Sequence, residues 1–475
     1  MERLAFGTDG WRALIGDGFT HRNLGRAAQA YAEHLLDRGG GLVLVAHDTR
    51  FAGARFARLA ADVLVANGLE VALHAGPLPT PVLSFAVRHL GAVGGVMLTA
   101  SHNPPEWQGF KLKGAYGGTV LDPVYRDVER RTGLIAEGAV RRRSRPPAIP
   151  GFDVREAYFA HVATLVDVER LRRGAGRIVH DAMGGAGGGW IAGFARWAGI
   201  GTEVEELRAK PDPTFDGVHP EPLPAHLART RAHLAEHPGA RFAVVTDGDG
   251  DRLAAVLPDG RFFDPHQVFA VLLDLLDRRG APGAVVKTFT VSRLIERLAA
   301  ARGRETVETA VGFKHLVEPL RRGEALVAGE ESGGIGVAGH VPERDGILGA
   351  LLLLEAELAA GEPLAARFAA LEREGGWRHA YDRLDLRLRG DGLPQRVAEA
   401  LARDPDAFAG AAVVGVERRD GVKLNLQGDR WILFRASGTE PVLRVYAEGP
   451  DDAAVGALLD AATAYVDALG AQSSR

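Results

Sequence analysis

The sequence predicts an α/β protein of several domains, closed by a C-terminal α+β domain, and three observations predict it. At 475 residues the chain is too long for one core and calls for roughly three or four domains of ordinary size. Short apolar runs rich in β-formers alternate with segments of helical period, the pattern of mixed, mainly parallel sheets. The alternation restarts twice, and each round ends a strand in a polar, mostly acidic loop, carrying Ser101, Asp247 and Glu330 in turn. Open α/β sheets bind ligands beyond the carboxyl ends of their strands, so three such loops are expected to converge on one cleft.

The first unit, residues 1–150, opens with the Gly-punctuated, loop-like FGTDGWRALIG, which carries Asp9 and Arg12. Leu24, Ala27, Ala28, Tyr31, Leu35 and Leu36 share one face of a helix over 21–38. Strand 42–46, helix 53–66, strand 70–74 and helix 80–90 follow, and GGVML (94–98) reads as a buried strand. That strand feeds TASHNPPEWQGFK (99–111), where Pro104 and Pro105 can continue neither a helix nor a ladder.

The Arg/Pro-rich RRRSRPPAIPG (141–151) links to a second unit, 151–258. It reads as helix 153–168, strand 177–180, helix 185–197, strand 202–206, helix 225–236 and strand 241–246. Its glycine run GGAGGG (184–189) lacks the dinucleotide-binding spacing and reads as a tight strand-to-helix turn. The third unit, 259–372, holds helix 266–279, strand 284–286, helix 291–300, the segment VGFKHL (311–316), strand 325–329 and helix 346–359. The last region, 373–475, turns to strands near 383–389, 413–416, 422–426, 431–435 and 442–447, with helices 393–402 and 451–465. That mixture is the α+β domain.

Composition narrows the function. Apolar content of 46% and charged content of 25% are those of a soluble globular protein. A net charge of −4 argues against nucleic-acid or polyanion partners. No apolar run reaches the ~18 residues of a membrane span, and MERLAFGTDGWR has no apolar core of a signal peptide. Cysteine is absent, which excludes disulfides and thiolate chemistry. These features lead us to expect a cytoplasmic protein that takes small molecules and binds neither nucleic acid nor membrane, with monomer and homodimer both open.

Four motifs carry chemistry. DGDGDR (247–252) sets Asp247, Asp249 and Asp251 at alternate positions, so an extended segment points the three carboxylates one way. Hard oxygen ligands of this kind suit Mg²⁺. A solvated acidic turn would have the same letters, but three carboxylates this close repel one another without a cation. An EF-hand loop is excluded, because its sixth and twelfth positions would be Arg252 and Pro258. RASGTEP (435–441) joins Arg435 to the hydroxyls of Ser437 and Thr439 and the amides around Gly438, a phosphate nest or an ordinary Ser/Gly turn. GEESGG (329–334) supplies the carboxylates of Glu330 and Glu331 and the Ser332 hydroxyl, able to bond sugar hydroxyls or to form an exposed acidic turn. TASHNPP (99–105) presents Ser101 and His102, a nucleophile candidate or a proline-stopped turn. Together these parts describe phosphoryl transfer on a sugar phosphate.

In this order, and across nearly the whole chain, the four motifs make the sequence resemble the α-D-phosphohexomutase family. The resemblance implies four domains around a central cleft: 1–150 with the phosphoserine loop, 151–258 with the metal loop, 259–372 with the sugar loop and 373–475 with the phosphate loop. It makes Ser101 the phosphoserine, whose oxygen joins Asp247, Asp249 and Asp251 in holding Mg²⁺. It sets Arg12, His102, Lys111 and Arg252 at the transferring phosphoryl group. Glu330 and Ser332 would bind sugar hydroxyls, Arg435, Ser437, Gly438 and Thr439 the other phosphate, and Lys287, Lys314 and Arg444 complete the substrate set. The implied reaction interconverts glucose 1-phosphate and glucose 6-phosphate through glucose 1,6-bisphosphate, which also serves as activator.

The sugar is chosen on small differences. Members that also take mannose often have His where this chain has Gly334, and glucosamine-phosphate mutases tend to have Gln where it has Glu331. Gly312-Phe313-Lys314 resembles the Gly-Trp-Lys of glucose-specific members. Phosphomannomutase or dual specificity is the alternative, with phosphoglucosamine mutase behind it. A Mg²⁺ phosphatase using Asp247 or Asp249 as nucleophile leaves Ser101 and the last domain unexplained, and a silent sensor would be expected to lose the nucleophile or a ligand. Finally, the chain has only six lysines among 57 basic residues, and Lys111, Lys113 and Lys314 lie beside motifs. Lysine can lose its proton where arginine cannot, so Lys111 is expected as a general acid–base group.

Overall fold

The computed structural model describes residues 3–7, 9–144, 148–387, 393–401, 405–436 and 442–471. It forms two compact units, Met1–Lys287 with Gly312–Phe368, and Thr288–Val311 with Ala369–Arg475.

The larger unit contains the site. Its first sheet has a parallel centre, Leu42–His47 between Glu70–Pro77 and Gly94–Leu98. Two antiparallel strands extend it, Trp107–Gly114 on Gly94–Leu98 and Trp11–Leu14 on Trp107–Gly114. The sequence reading makes the second of these a loop-like segment and gives the first no element. The prolines stop the chain only as far as Pro105, and the apolar-polar alternation of Phe110, Lys111, Leu112 and Lys113 then takes the chain back into the sheet. That return places Lys111 opposite Met97 and buries it. The second sheet repeats the plan, with Arg177–Asp181 parallel to Glu203–Leu207 and to Ala240–Thr246. Leu253–Val256 and Phe262–Phe263 return antiparallel. In the third, Ala284–Thr288 runs parallel to Ala325–Gly329, and Ile335–Val337 returns antiparallel. The sheets are therefore parallel at their centres and antiparallel at one side. Each carboxyl-end loop lies between a central strand and its return.

Several helices depart from the sequence reading. The expected helix over 153–168 is two, Arg155–Ala163 and Val168–Arg173, because Asp167 caps the second by accepting from the Arg170 amide. The helix expected from 185 begins at Trp190, since the glycine run forms the turn before it. VGFKHL leads into a helix, Lys314–Arg321, and Asp122–Leu134 and Leu364–Gly375 are further helices. The first of these two is dense in charge, which weakens its apolar stripe.

In the smaller unit, Ala380–Arg387, Val442–Gly449, Arg430–Ala436, Val422–Leu426, Ala411–Glu417 and Ala407–Phe408 form one antiparallel sheet in that order. Leu393–Leu401 and Asp452–Ala471 contribute Val397, Leu401, Val455, Leu458 and Ala462 to its core. Among the described residues no helix is long and apolar enough to cross a membrane.

Candidate active site

Ser101 lies just beyond strand Gly94–Leu98 with a φ of 54°. A left-handed backbone at a residue with a Cβ costs about 1–3 kcal/mol and persists only where its surroundings fix it. Here they do. The Ser101 amide donates to Thr99 Oγ1 at 2.8 Å, and that hydroxyl donates to Asp48 Oδ2 at 2.5 Å. Buried Arg50 donates to four loop carbonyls, those of Ser101, Asn103 and Pro104 at 2.6 Å and of Trp107 at 3.0 Å. Its Nε bonds Asp48 Oδ2 at 3.1 Å. Burial raises the Asp48 carboxyl to about 6, against the pull of Arg50.

The serine hydroxyl donates to Asp247 Oδ2 at 2.8 Å, which joins the first loop to the second. The backbone of the DGDGDR loop, with Leu253 just after it, is held from four sides. Thr80 N donates to Asp249 O at 2.8 Å, Ala186 N to Gly248 O at 3.0 Å, Gly346 N to Gly250 O at 3.1 Å and Leu253 N to Gly333 O at 3.0 Å. Gly248 is required by this closeness, since a Cβ there would lie 2.6 Å from the Ser101 carbonyl oxygen.

Asp247, Asp249 and Asp251 are wholly buried, and one oxygen from each lies within 4.8 Å of the others. Asp249 Oδ2 accepts from Thr80 Oγ1 at 2.5 Å and from Lys111 Nζ at 2.9 Å. Asp251 Oδ2 accepts from Lys111 Nζ at 3.3 Å and from Arg344 Nε at 2.8 Å. Asp249 Oδ1 and Asp251 Oδ1 are buried without a hydrogen-bond partner. An orphan carboxylate oxygen in the interior is costly. Two of them beside Asp247 fit a small hard cation such as Mg²⁺. Burial raises the Asp247 carboxyl well above its usual range, and repulsion from Asp249 and Asp251 adds to it. Burial also opposes the charge of Asp249, but Lys111 and Thr80 outweigh it and lower that group.

Burial lowers the affinity of Lys111 for its proton, but Asp249, Asp251 and Asp9 outweigh it, so the ammonium form is favoured. This environment does not make the easily deprotonated lysine expected from the sequence. Arg12 Nη1 bonds Asn103 Oδ1 at 2.6 Å, and burial lowers its pKa despite Asp9 3.9 Å away. Arg252 gives its amide to Asp247 Oδ1 at 3.2 Å and Nη1 to Glu221 Oε1 at 3.4 Å. His102 follows Ser101 and is half-buried.

Glu330 is buried in the third loop, and burial raises its carboxyl to about 7 although Arg344 opposes the rise. Ser332 lies two residues further along the same loop and is half-buried. Arg344 Nη1 reaches Glu330 Oε2 at 3.3 Å, which ties the third loop to the second.

Three of the four motifs are thus linked by named bonds. Of the other expected residues in the larger unit, Lys287 lies in register with Gly329, the first residue of GEESGG. Lys314 is paired with Asp122 at 2.7 Å. Lys287 is buried at the end of its strand. In the smaller unit Arg435 and Arg444 are cross-strand partners, Arg435 bonding Asp420 at 2.9 Å and Arg444 lying 4.0 Å from Asp385. Ser437, Gly438 and Thr439 lie outside the described residues. The sequence reading missed Asp48, Arg50, Thr80, Glu343 and Arg344. Asp48 and Arg50 had a signal, since HDTR follows a strand just as the serine loop does.

This site, a strained serine against an acidic trio on a series of α/β sheets, is that of a phosphoryl-transfer protein. Family models for phosphoglucomutase/phosphomannomutase match in order, alpha/beta/alpha domain I at residues 3–137, domain II at 156–260, domain III at 264–374 and the C-terminal domain at 395–464. The chain belongs to this family, within the α-D-phosphohexomutase superfamily of magnesium-dependent, isomerase-type phosphotransferases. It is similar to the phosphoglucomutase/phosphomannomutase of Thermococcus kodakarensis, 28% identical over 458 residues that cover 94% of this chain and 95% of that one. The phosphoglucosamine mutase of Salinispora arenicola is 33% identical over 455 residues, 94% of each chain. The crystal structure of a putative phosphomannomutase from Thermus thermophilus superposes with a TM-score of 0.88 at 44% identity, covering 98% of this chain and 99% of that one.

Proposed function

We propose that this protein interconverts glucose 1-phosphate and glucose 6-phosphate, with Ser101 as the residue that carries the phosphoryl group. The observation that supports this most is the Ser101 hydroxyl, held in a left-handed turn and bonded to Asp247 at 2.8 Å. In the forward step the phosphorus–Oγ bond of phosphoserine 101 breaks as the free sugar hydroxyl bonds to phosphorus. The hydroxyl's proton is balanced by the proton gained at Ser101 Oγ. Glucose 1,6-bisphosphate results, turns end for end, and returns its other phosphoryl group to Ser101. Asp247, Asp249, Asp251 and a phosphoserine oxygen would hold Mg²⁺, which when bound supplies charge compensation for the transferring oxygens. Arg12, Arg252 and protonated Lys111 add fixed positive charge at the same place. Glu330 and Ser332 take sugar hydroxyls, and Arg435 and Arg444, with the loop of Ser437, Gly438 and Thr439, take the phosphate that stays. Lys287 and Lys314 are the weakest members of the set, Lys314 being already committed to Asp122.

Glucose is preferred because Gly334 offers no side chain to a sugar hydroxyl. The 44% identity to a putative phosphomannomutase supports mannose phosphate as the second reading. Purified protein with Mg²⁺ and a trace of bisphosphate should turn over glucose 1-phosphate faster than the mannose or glucosamine phosphates. Equal efficiency on glucose and mannose would overturn the choice of sugar. Intact mass should show a phosphorylated fraction mapping to Ser101, and Ser101→Ala should lose several powers of ten in turnover.

A further inference from the structure

We propose that Arg344 is a positioning residue that couples the sugar loop to the metal loop, holding Glu330 in place and competing with the divalent ion for the charge of Asp251. The proposal rests on the phosphohexomutase reading of the site. One buried guanidinium spans three carboxylates distant in sequence: Nε donates to Asp251 Oδ2 at 2.8 Å, Nη1 to Glu330 Oε2 at 3.3 Å, and Nη2 to Asp9 Oδ2. A planar fork can reach three acceptors at once, which a lysine ammonium on the same stem does far less well. The side chain also fills the space beside the sugar loop, since a Cβ on Gly334 would lie 2.7 Å from Arg344 Cδ and 3.2 Å from Glu330 Oε2. Gly334 and Arg344 are therefore a complementary pair: the missing side chain of one makes room for the other.

The neighbours of Arg344 keep its backbone from following any movement of the loops. Glu343 is ion-paired with buried Lys113 and accepts from Ser84 Oγ at 3.0 Å. Asp345 caps helix Gly346–Ala360 by accepting from the Ile347 and Leu348 amides at 2.9 Å, and it accepts from Tyr158 at 2.7 Å. From this fixed base the guanidinium bonds Asp251 Oδ2, while Asp251 Oδ1 accepts no hydrogen bond and has Arg252 Nε 4.0 Å away. A cation therefore already stands against one of the three carboxylates that would hold the metal. The same cation is what orients buried Glu330. Removing it should move the two binding events in opposite directions, whereas damage to the fold would weaken both.

The test is calorimetric titration of the whole protein with Mg²⁺ alone and, separately, with glucose 1-phosphate. Arg344→Gln is expected to tighten Mg²⁺ binding about three- to tenfold, through loss of a neighbouring positive charge, and to weaken glucose 1-phosphate at least about tenfold, through loss of a charged hydrogen bond to Glu330. Arg344→Lys should return Mg²⁺ affinity toward wild type while leaving the sugar phosphate weak. Glu330→Gln should reproduce the sugar defect with Mg²⁺ affinity unchanged, and it keeps the proposal testable if the Arg344 variants fold poorly. Weaker binding of Mg²⁺ in folded Arg344→Gln, or sugar-phosphate binding unaltered in either Gln variant, would overturn the coupling. If the wild-type protein binds no glucose, mannose or glucosamine phosphate, the mutase reading fails instead, and the Mg²⁺ titrations still decide whether Arg344 competes with the ion.

Discussion

Lys111 gives its ammonium group to Asp9 at 2.9 Å, Asp249 at 2.9 Å and Asp251 at 3.3 Å, and none of its side chain meets solvent. A compact charge fits that space, and a broad guanidinium does not. Lys111→Arg should therefore lose at least about a hundredfold in kcat, on the scale of a positioned catalytic group, while Lys210→Arg at an exposed position stays near wild type. Steady-state kinetics on the two variants checks this. Retained activity in Lys111→Arg would reduce the residue to a diffuse charge and move attention to His102. The backbone at Ser101 allows a second measurement, independent of turnover. Ser101→Ala keeps the left-handed strain, whereas Ser101→Gly relieves it. The glycine variant should be the more stable of the two by about 1 kcal/mol in chemical denaturation, the usual cost of that conformation. Equal stability would mean that the turn is not strained.

The serine loop as an element depends on Arg50, which satisfies four of its carbonyls. An ammonium has three protons and no planar fork, so Arg50→Lys leaves acceptors unpaired in the interior. We expect it to destabilise by about 2–4 kcal/mol, below the cost of removing a buried charge altogether, and to lower kcat more than it raises KM. A KM effect alone would mean that the loop forms without the clamp. The clamp also illustrates what a sequence can reveal. Apolar runs such as GGVML and polar ends such as DGDGDR are local patterns, and both the strands and the loops they feed were legible from them. The return strand Trp107–Gly114 was not, because its glycines and the preceding prolines mimic a loop, and only pairing with Gly94–Leu98 makes it a strand. Arg344 was hidden for a different reason. Its partner Asp9 lies 335 residues away, and a contact of that span leaves no period in the sequence.

At the scale of the whole molecule, the site affects folding stability through pH. Burial raises Glu330 to about 7 from an ordinary 4.5, so the folded chain holds a proton there that the unfolded chain has already released. The stability associated with that proton is complete below pH 4.5, declines as pH rises, and is gone above about 7. Asp48, raised to about 6 from 3.8, acts in the same direction at lower pH. Asp9 and Asp249 act the other way: their lowered carboxyls contribute stability above 3.8 that is lost on acidification. These terms overlap in wild-type protein, and substitution separates them. Glu330→Gln should remove only the decline between pH 4.5 and about 7. Chemical denaturation of metal-free protein at pH 5 and pH 8 should then show a smaller fall in the variant, by about 1–3 kcal/mol at roughly 1.4 kcal/mol per pKa unit. The same titration should appear in binding, because only the ionised carboxylate is a pure acceptor for sugar hydroxyls. Glucose 1-phosphate affinity should weaken as pH falls below 7 in wild-type protein and respond less in Glu330→Gln. An undiminished fall in stability in the variant would place the titrating group elsewhere, and an unchanged pH profile of binding would separate Glu330 from the sugar.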